Sequence, residues 1–323
     1  MTDKMITFRE TCNALFSQEE SYGCQQQAAQ DLFRLLAGII EYDDNQPQLE
    51  QAKDCFLPSG KAISLQGAAR CLWEFVRTSR FLQGVEAALR AAQQRFPGQR
   101  IRLLEAGCGP FALLALPLAL KFEPSQVGFT LLDIHPHSLE AAKTIVTTLG
   151  LQDYVDAYVQ ADATTWTCPD HLRPHVMVSE TMQNALKKEP QVAITRNLAH
   201  QCVPGGYFLP EKVRVDFCLL YWITDEGEVP FQRTQPVATL YELRPDNPHD
   251  PLHGQFTLPD PLPERVRPGL CTHIQVFGDY CLEENQCSLT LPLKVKGLEL
   301  QAGGIIHHEY IMGEVPGFQL TGR

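Results

Sequence analysis

The chain has 323 residues, 44% of them hydrophobic and 20% charged, with a formal net charge of −11. Its length accommodates two domains, or one with substantial additions. The acidic balance argues against a nucleic-acid ligand, which is met by a basic face, and favours a cationic or neutral substrate. The eleven cysteines are odd in number, scattered from Cys12 to Cys287 and free of any C-x-x-C pair. That pattern speaks against a disulfide framework or a metal site and for a reducing compartment. The start, MTDKMITFRE, has no apolar signal core, and the strongest apolar run, 111–120, is too short to span a bilayer and contains Pro117. A cytoplasmic protein with no membrane partner is expected.

The first hundred residues read as helical. Leu32, Leu35, Leu36 and Ile39 recur at helix spacing before DDNQPQ breaks the pattern. A second long helix is predicted from Ser64 to a stop at Pro97-Gly98. From Ile101 the texture changes. Strands are predicted at 101–106, 128–134, 156–162 and 175–180, and helices at 111–122, 138–151 and 192–203. This alternation predicts an α/β domain with a doubly wound parallel sheet. After Pro210 the readable segments are strands (213–223, 271–282, 288–296, 307–315), which predicts a C-terminal antiparallel β domain. Between them the proline-dense stretch 244–269 reads as a long loop or a protruding arm. The expected organisation is a helical region at 1–100, a ligand-binding α/β domain at 101–210 and a β domain at 211–323.

Chemistry concentrates at the strand ends. Gly107-Cys-Gly109-Pro-Phe-Ala112 follows the first strand and fits G-x-G-x-x-A, one form of the dinucleotide fingerprint. Alone, that match is weak, since a tight turn also needs glycine. Three acids narrow the reading: Glu105 stands two residues before the first glycine, Asp133 ends the second strand, and Asp162 ends the third. A carboxylate at 105 sits badly beside a pyrophosphate and well beside a cation. With the glycine turn, the set resembles the class I S-adenosylmethionine-dependent methyltransferases. The resemblance implies that Glu105, Gly107 and Gly109 hold the methionine portion of the cofactor S-adenosylmethionine, Asp133 the ribose and Asp162 the adenine amine. Phe111 stands where that family has a third glycine.

The fourth strand runs into Ser179-Glu180-Thr181-Met182, with Glu189 nine positions after Glu180, then a helix and a G-x-x-x-P ending at Pro210. This register resembles the double-glutamate loop of the protein arginine methyltransferases. Two carboxylates converging on one pocket repel unless a cation lies between them, and guanidinium pairs with carboxylates at two points. Thr181 replaces that family's Trp and Gln183 its Gly, so the pocket wall differs. Two weaker echoes are Val76-Arg77-Thr78, which implies a cofactor-carboxylate role for Arg77, and Thr272-His273-Ile274, where the family's T-H-W implies a catalytic part for His273.

The expected function is methyl transfer to a guanidino or amine group of a small molecule, peptide or protein. The competing readings are a nicotinamide-dependent oxidoreductase and a non-catalytic relative that binds a partner through the proline-rich arm. The resemblance also allows a homodimer docked through 244–269.

Overall fold

The computed structural model describes residues 2–17, 19–46, 48–223 and 231–322. Helices α1 (Asp3–Phe16) and α2 (Tyr22–Ile39) open the chain. The side chains of Thr2 and Ser21 accept from the backbone N–H groups of Met5 and Cys24, which satisfies donors that a helix start leaves free. A single turn, α3 (Leu49–Ala52), then leads into a hairpin of β1 (Cys55–Leu57) and β2 (Gly60–Ala62). The hairpin departs from the helical expectation for 1–100, although Pro58-Ser59-Gly60 marks its turn.

The predicted long helix from Ser64 is two helices, α4 (Leu65–Arg70) and α5 (Phe75–Arg95). A 3₁₀ turn at Cys71–Trp73 and Glu74, with ψ of 63°, separate them. The bend is held by one contact from within α5 and one from a distant part of the chain. Arg77 Nη2 donates to the Cys71 carbonyl at 3.1 Å, and the Glu74 carboxylate accepts from Ser288 N at 2.7 Å.

Strands β3 (Ile101–Ala106), β4 (Val127–Asp133), β5 (Val155–Gln160), β6 (Val176–Ser179) and β7 (Tyr207–Leu209) form a parallel sheet in the order β5-β4-β3-β6-β7. All seven residues of β4 are buried, as a strand covered on both faces requires. Helices α6 (Pro136–Leu149) and α7 (Gln191–Leu198) provide crossovers. The strand order reverses at β3, so the crevice beyond the carboxyl ends of β3 and its neighbours is where a ligand belongs. The helix expected at 111–122 does not form. Ala112 has φ of +43°, and only a 3₁₀ segment at Leu116–Leu120 follows, with Pro117 at its start.

The rest is antiparallel. One sheet runs β12 (Tyr280–Leu282), β11 (Arg267–Phe277), β8 (Lys212–Ile223), β9 (Phe231–Leu243), with β13 (Leu293–Lys294) also on β11. A second runs β10 (His253–Thr257), β14 (Ile305–Ile311), β15 (Gly317–Gly322). The strand expected over 288–296 is instead a 3₁₀ turn and two paired residues. The proline-rich stretch folds back on the molecule. It contains β10, and its Pro248 and Asp250 carbonyls accept from Arg196 of α7 at 2.7 and 3.3 Å. Cys218 and Cys271 form a disulfide between β8 and β11, against the expectation of unpaired thiols. Their separation of 53 residues gave no hint, because strand register decides which cysteines meet. Among the described residues no helix is long and apolar enough to cross a membrane.

Candidate active site

The glycine turn leaves β3 with Gly107 at φ +77° and Gly109 at φ +60°, left-handed values that favour glycine. Gly107 N and Cys108 N donate to the Leu132 carbonyl of β4, at 2.8 and 3.0 Å. Gly109 N donates to Asp133 Oδ2 at 2.8 Å, and His135 N donates to Asp133 Oδ1 at 2.8 Å. Asp133 therefore fixes the turn as well as facing the cavity. Bareness here also serves packing. A Cβ on Gly107 would stand 2.5 Å from Thr181 Cγ2, and one on Gly109 3.2 Å from Ala68 Cβ.

Glu105 is buried. Its Oε1 accepts from Leu114 N at 3.0 Å, while Oε2 has no partner among the described residues. Burial pushes its carboxyl up to about 8, although the Leu114 N–H opposes the shift. An unpartnered buried carboxyl oxygen at a ligand crevice is a group awaiting a donor or a cation. Asp162, just past β5, accepts from Thr164 N and Oγ1 through Oδ1, at 2.8 and 2.7 Å.

The first glutamate of the loop, Glu180, follows β6 directly. Its Oε2 lies 3.6 Å from Arg77 Nη1, with side chains 14% and 8% exposed. Burial raises Glu180 to about 7, against the pull of Arg77. Glu189 is also buried and raised; Gln183 Nε2 donates to its Oε1 at 2.9 Å and opposes that shift. The residue that departs from the family pattern at 183 thus holds the second carboxylate.

Between the glutamates, Ala185, Leu186 and Lys188 take φ of +56°, +54° and +66°. Non-glycine residues there are strained and persist only when the surroundings hold them. Four anchors do so. Ala185 N donates to Thr272 Oγ1 at 2.8 Å, Tyr310 OH to the Leu186 carbonyl at 2.7 Å, Lys188 N to the Pro316 carbonyl at 2.7 Å, and Lys61 N to the Lys188 carbonyl at 2.8 Å. The antiparallel part of the chain and the β1–β2 hairpin both hold the loop.

Gln191 braces the two ends. Fully buried at the start of α7, it accepts through Oε1 from Thr181 N at 3.0 Å and Thr181 Oγ1 at 2.9 Å. A residue two places after Glu189 is thereby tied to the one immediately after Glu180. A glutamine at a helix start reads as surface, so nothing in the sequence marked it.

The structure brings eight of the nine candidate residues to one cavity: Arg77, Glu105, Gly107, Gly109, Asp133, Asp162, Glu180 and Glu189. His273 lies outside it. Its Nε2 is 3.5 Å from Asp216 Oδ2 and its Nδ1 3.3 Å from Glu283 Oε2. Successive side chains of a strand face opposite ways. Since Thr272 faces the glutamate loop, His273 cannot. A second chamber adjoins the first, sharing Arg77, Glu180 and Glu189 and adding Arg70 and Glu74.

No family model matches the chain, and no curated protein matches it in sequence. Among solved structures the chain is similar to a chain of the Trypanosoma brucei PRMT1 enzyme–prozyme heterotetrameric complex with AdoHcy. The two are 13% identical with a TM-score of 0.51, over 78% of this chain and 96% of that one. Neither the parallel-sheet part nor the antiparallel part alone amounts to that share, so the likeness takes in both. It is a likeness of fold: a parallel α/β sheet followed by antiparallel β, arranged as in that PRMT1 structure.

Proposed function

We propose that the protein is an S-adenosylmethionine-dependent N-methyltransferase acting on an amine or guanidino group. One observation carries the reading: the cradle made by Gly107, Gly109 and the strand-end acids opens into the same cavity as Glu180 and Glu189. The cradle's chemistry fits the cofactor. Glu105 offers an unpartnered buried oxygen to a cationic ligand, and Asp133 and Asp162 retain acceptor capacity beyond the backbone bonds they already make. When bound, the cofactor supplies a methyl group activated on a sulfonium.

The chain's own residues would do the rest. Glu105, Asp133 and Asp162 hold the methionine, ribose and adenine portions, and Arg77, between the two chambers, takes the cofactor carboxylate. Glu180 and Glu189 hold the substrate nitrogen in line with the methyl, and alignment supplies much of the rate. For a guanidinium, which keeps its proton, the pair orients the group and stabilises the charge that develops on transfer. For an amine, Glu180, raised to about 7, is suited to accept the proton released. His273, outside the cavity, has no contact role in this reading, and Thr272 beside it positions the loop.

In this reading residues 101–210 form the cofactor-binding unit, 1–100 close it, and 211–323 clamp the glutamate loop. The structurally similar complex is heterotetrameric by its description; a homodimer of this chain would dock through 244–269, whose residues stay largely at the surface. A nicotinamide cofactor is disfavoured because no α-helix starts at the glycine turn to receive a pyrophosphate. The test is a thermal shift. S-adenosylmethionine or S-adenosylhomocysteine should raise Tm, since a ligand that binds only the native state stabilises it, and NAD should not. The opposite pattern would overturn the reading.

A further inference from the structure

The second chamber is acidic in its depth and has an arginine at its rim. Arg70, at the end of α4, is 46% exposed where Glu180 is 14% exposed, and both line the chamber. Its Nε lies 3.0 and 3.1 Å from the two oxygens of Asp44. Asp44 is itself held: Tyr42 OH donates to its Oδ1 at 2.8 Å, and Gln66 Nε2 to its carbonyl at 3.1 Å. The guanidinium carbon stands 5.7 Å from the ring centroid of Trp73, whose indole is half exposed. These contacts hold the arginine by one edge and one face. Among the described residues its Nη groups donate to nothing, which leaves the two-donor edge that a carboxylate takes at two points.

The other cations of the site are occupied differently. Arg77 faces Glu180 and donates to the Cys71 carbonyl, and Lys61 Nζ meets Asp54 Oδ2 at 2.7 Å. Arg70 is thus the lining cation whose fork is both oriented and unused, and it lines the same chamber as Glu180 and Glu189.

We propose that Arg70 is the anion anchor of the substrate site and that the substrate is a small zwitterion. Its amine or guanidino end is taken by Glu180 and Glu189, and its carboxylate by the Nη edge of Arg70. The proposal rests on the methyltransferase reading. An arginine or lysine inside a polypeptide brings a peptide carbonyl instead of a carboxylate, and so gains no charge-assisted pair at the rim.

The experiment compares ω-amino and ω-guanidino carboxylic acids with their primary amides, in labelled methyl transfer and in thermal shift of the protein saturated with S-adenosylhomocysteine. The acids should show a KM at least tenfold below that of the amides, with the larger Tm shift. Arg70→Gln should erase the preference by raising the KM of the acids to that of the amides, while S-adenosylhomocysteine still raises its Tm. Arg70→Lys, which keeps the charge and loses the fork, should retain only part of it. Equal KM for acid and amide in the wild-type protein overturns the proposal, even if Arg70→Gln fails to fold. So does a preference that survives Arg70→Gln, or no response to either class. Failure of S-adenosylhomocysteine to stabilise the wild-type protein is a separate result, which removes the methyltransferase reading and this proposal with it.

Discussion

Replacing Gln191 by Leu tests whether the separation of the two glutamates is what the loop is built to hold. The change keeps the volume and deletes both bonds to Thr181, at 3.0 Å to its N–H and 2.9 Å to its hydroxyl. The hydroxyl keeps a partner in Ser179 Oγ at 3.1 Å, but the N–H is stranded in a part-buried position. A buried donor left unpaired costs about 1–3 kcal/mol, and the lost hydroxyl bond adds about 0.5–1.5 kcal/mol. The expected destabilisation is therefore roughly 1.5–4.5 kcal/mol, read by urea denaturation. Kinetics carries the sharper expectation. Thr181 is covalently next to Glu180, so releasing it lets that carboxylate drift, and a misplacement of about 1 Å costs on the order of 10²-fold. kcat in methyl transfer should fall by about that factor, far more than cofactor affinity, because Glu105, Asp133 and Asp162 hang on other strands. Gln191→Glu, which in its protonated form restores both acceptor and donor, should at mildly acid pH recover most of the rate that the wild-type protein shows at that same pH. If folded Gln191→Leu turns over at the wild-type kcat, the brace is structural only and the reasoning fails.

Glu180→Gln and Glu189→Gln keep shape and remove charge; each should lower the transfer rate about 10²-fold or more, with S-adenosylhomocysteine affinity nearly constant by calorimetry. Wild-type rates in either variant would end the double-glutamate mechanism. Gly107→Ala should destabilise by roughly 1–3 kcal/mol through its left-handed φ and the contact with Thr181 Cγ2, and adding Thr181→Ser, which deletes that methyl, should recover part of the loss. No recovery in the double variant would assign the whole cost to φ. Asp133→Ala should weaken cofactor binding by about 1–3 kcal/mol, and Asp133→Asn, which keeps an acceptor for Gly109 N, by less. Glu105 and Glu180 lie near 8 and 7 in the folded protein against 4.5 unfolded. The folded state then holds protons that the unfolded state has released, so stability of the ligand-free protein should fall as pH rises from about 5 to 8 and flatten above. Denaturation midpoints that stay level or rise across that window would contradict the burial of these acids, and transfer to an amine should climb with pH through about 7 as Glu180 ionises.

The parallel sheet and the acids at its strand ends were legible in the sequence because both follow from local pattern. A strand buried on two faces reads as a short, mostly apolar run, and an acid at its carboxyl end stands where the strand meets the crevice. Glu105, Asp133, Asp162 and Glu180 come together for that reason: they sit at the carboxyl ends of strands lying side by side in one sheet. What pattern cannot carry is any choice made by a distant part of the chain. The apolar period runs unbroken from Ser64 past Glu74, yet Ser288, more than two hundred residues away, holds the bend there. The apolar run at 111–122 has helical composition, but Ala112 turns left-handed and Leu114 gives its N–H to Glu105 instead. Which side of β11 faces the glutamate loop is set by its register on β8, so Thr272 meets the loop and His273 does not. The pairing of Cys218 with Cys271, the grip of Gln191 on Thr181 and the seat of Arg70 on Asp44 are of the same kind. Sequence periodicity encodes how much of each segment is buried; only the folded chain determines which polar atom finds which partner, because those partners are set by register and packing across the whole molecule.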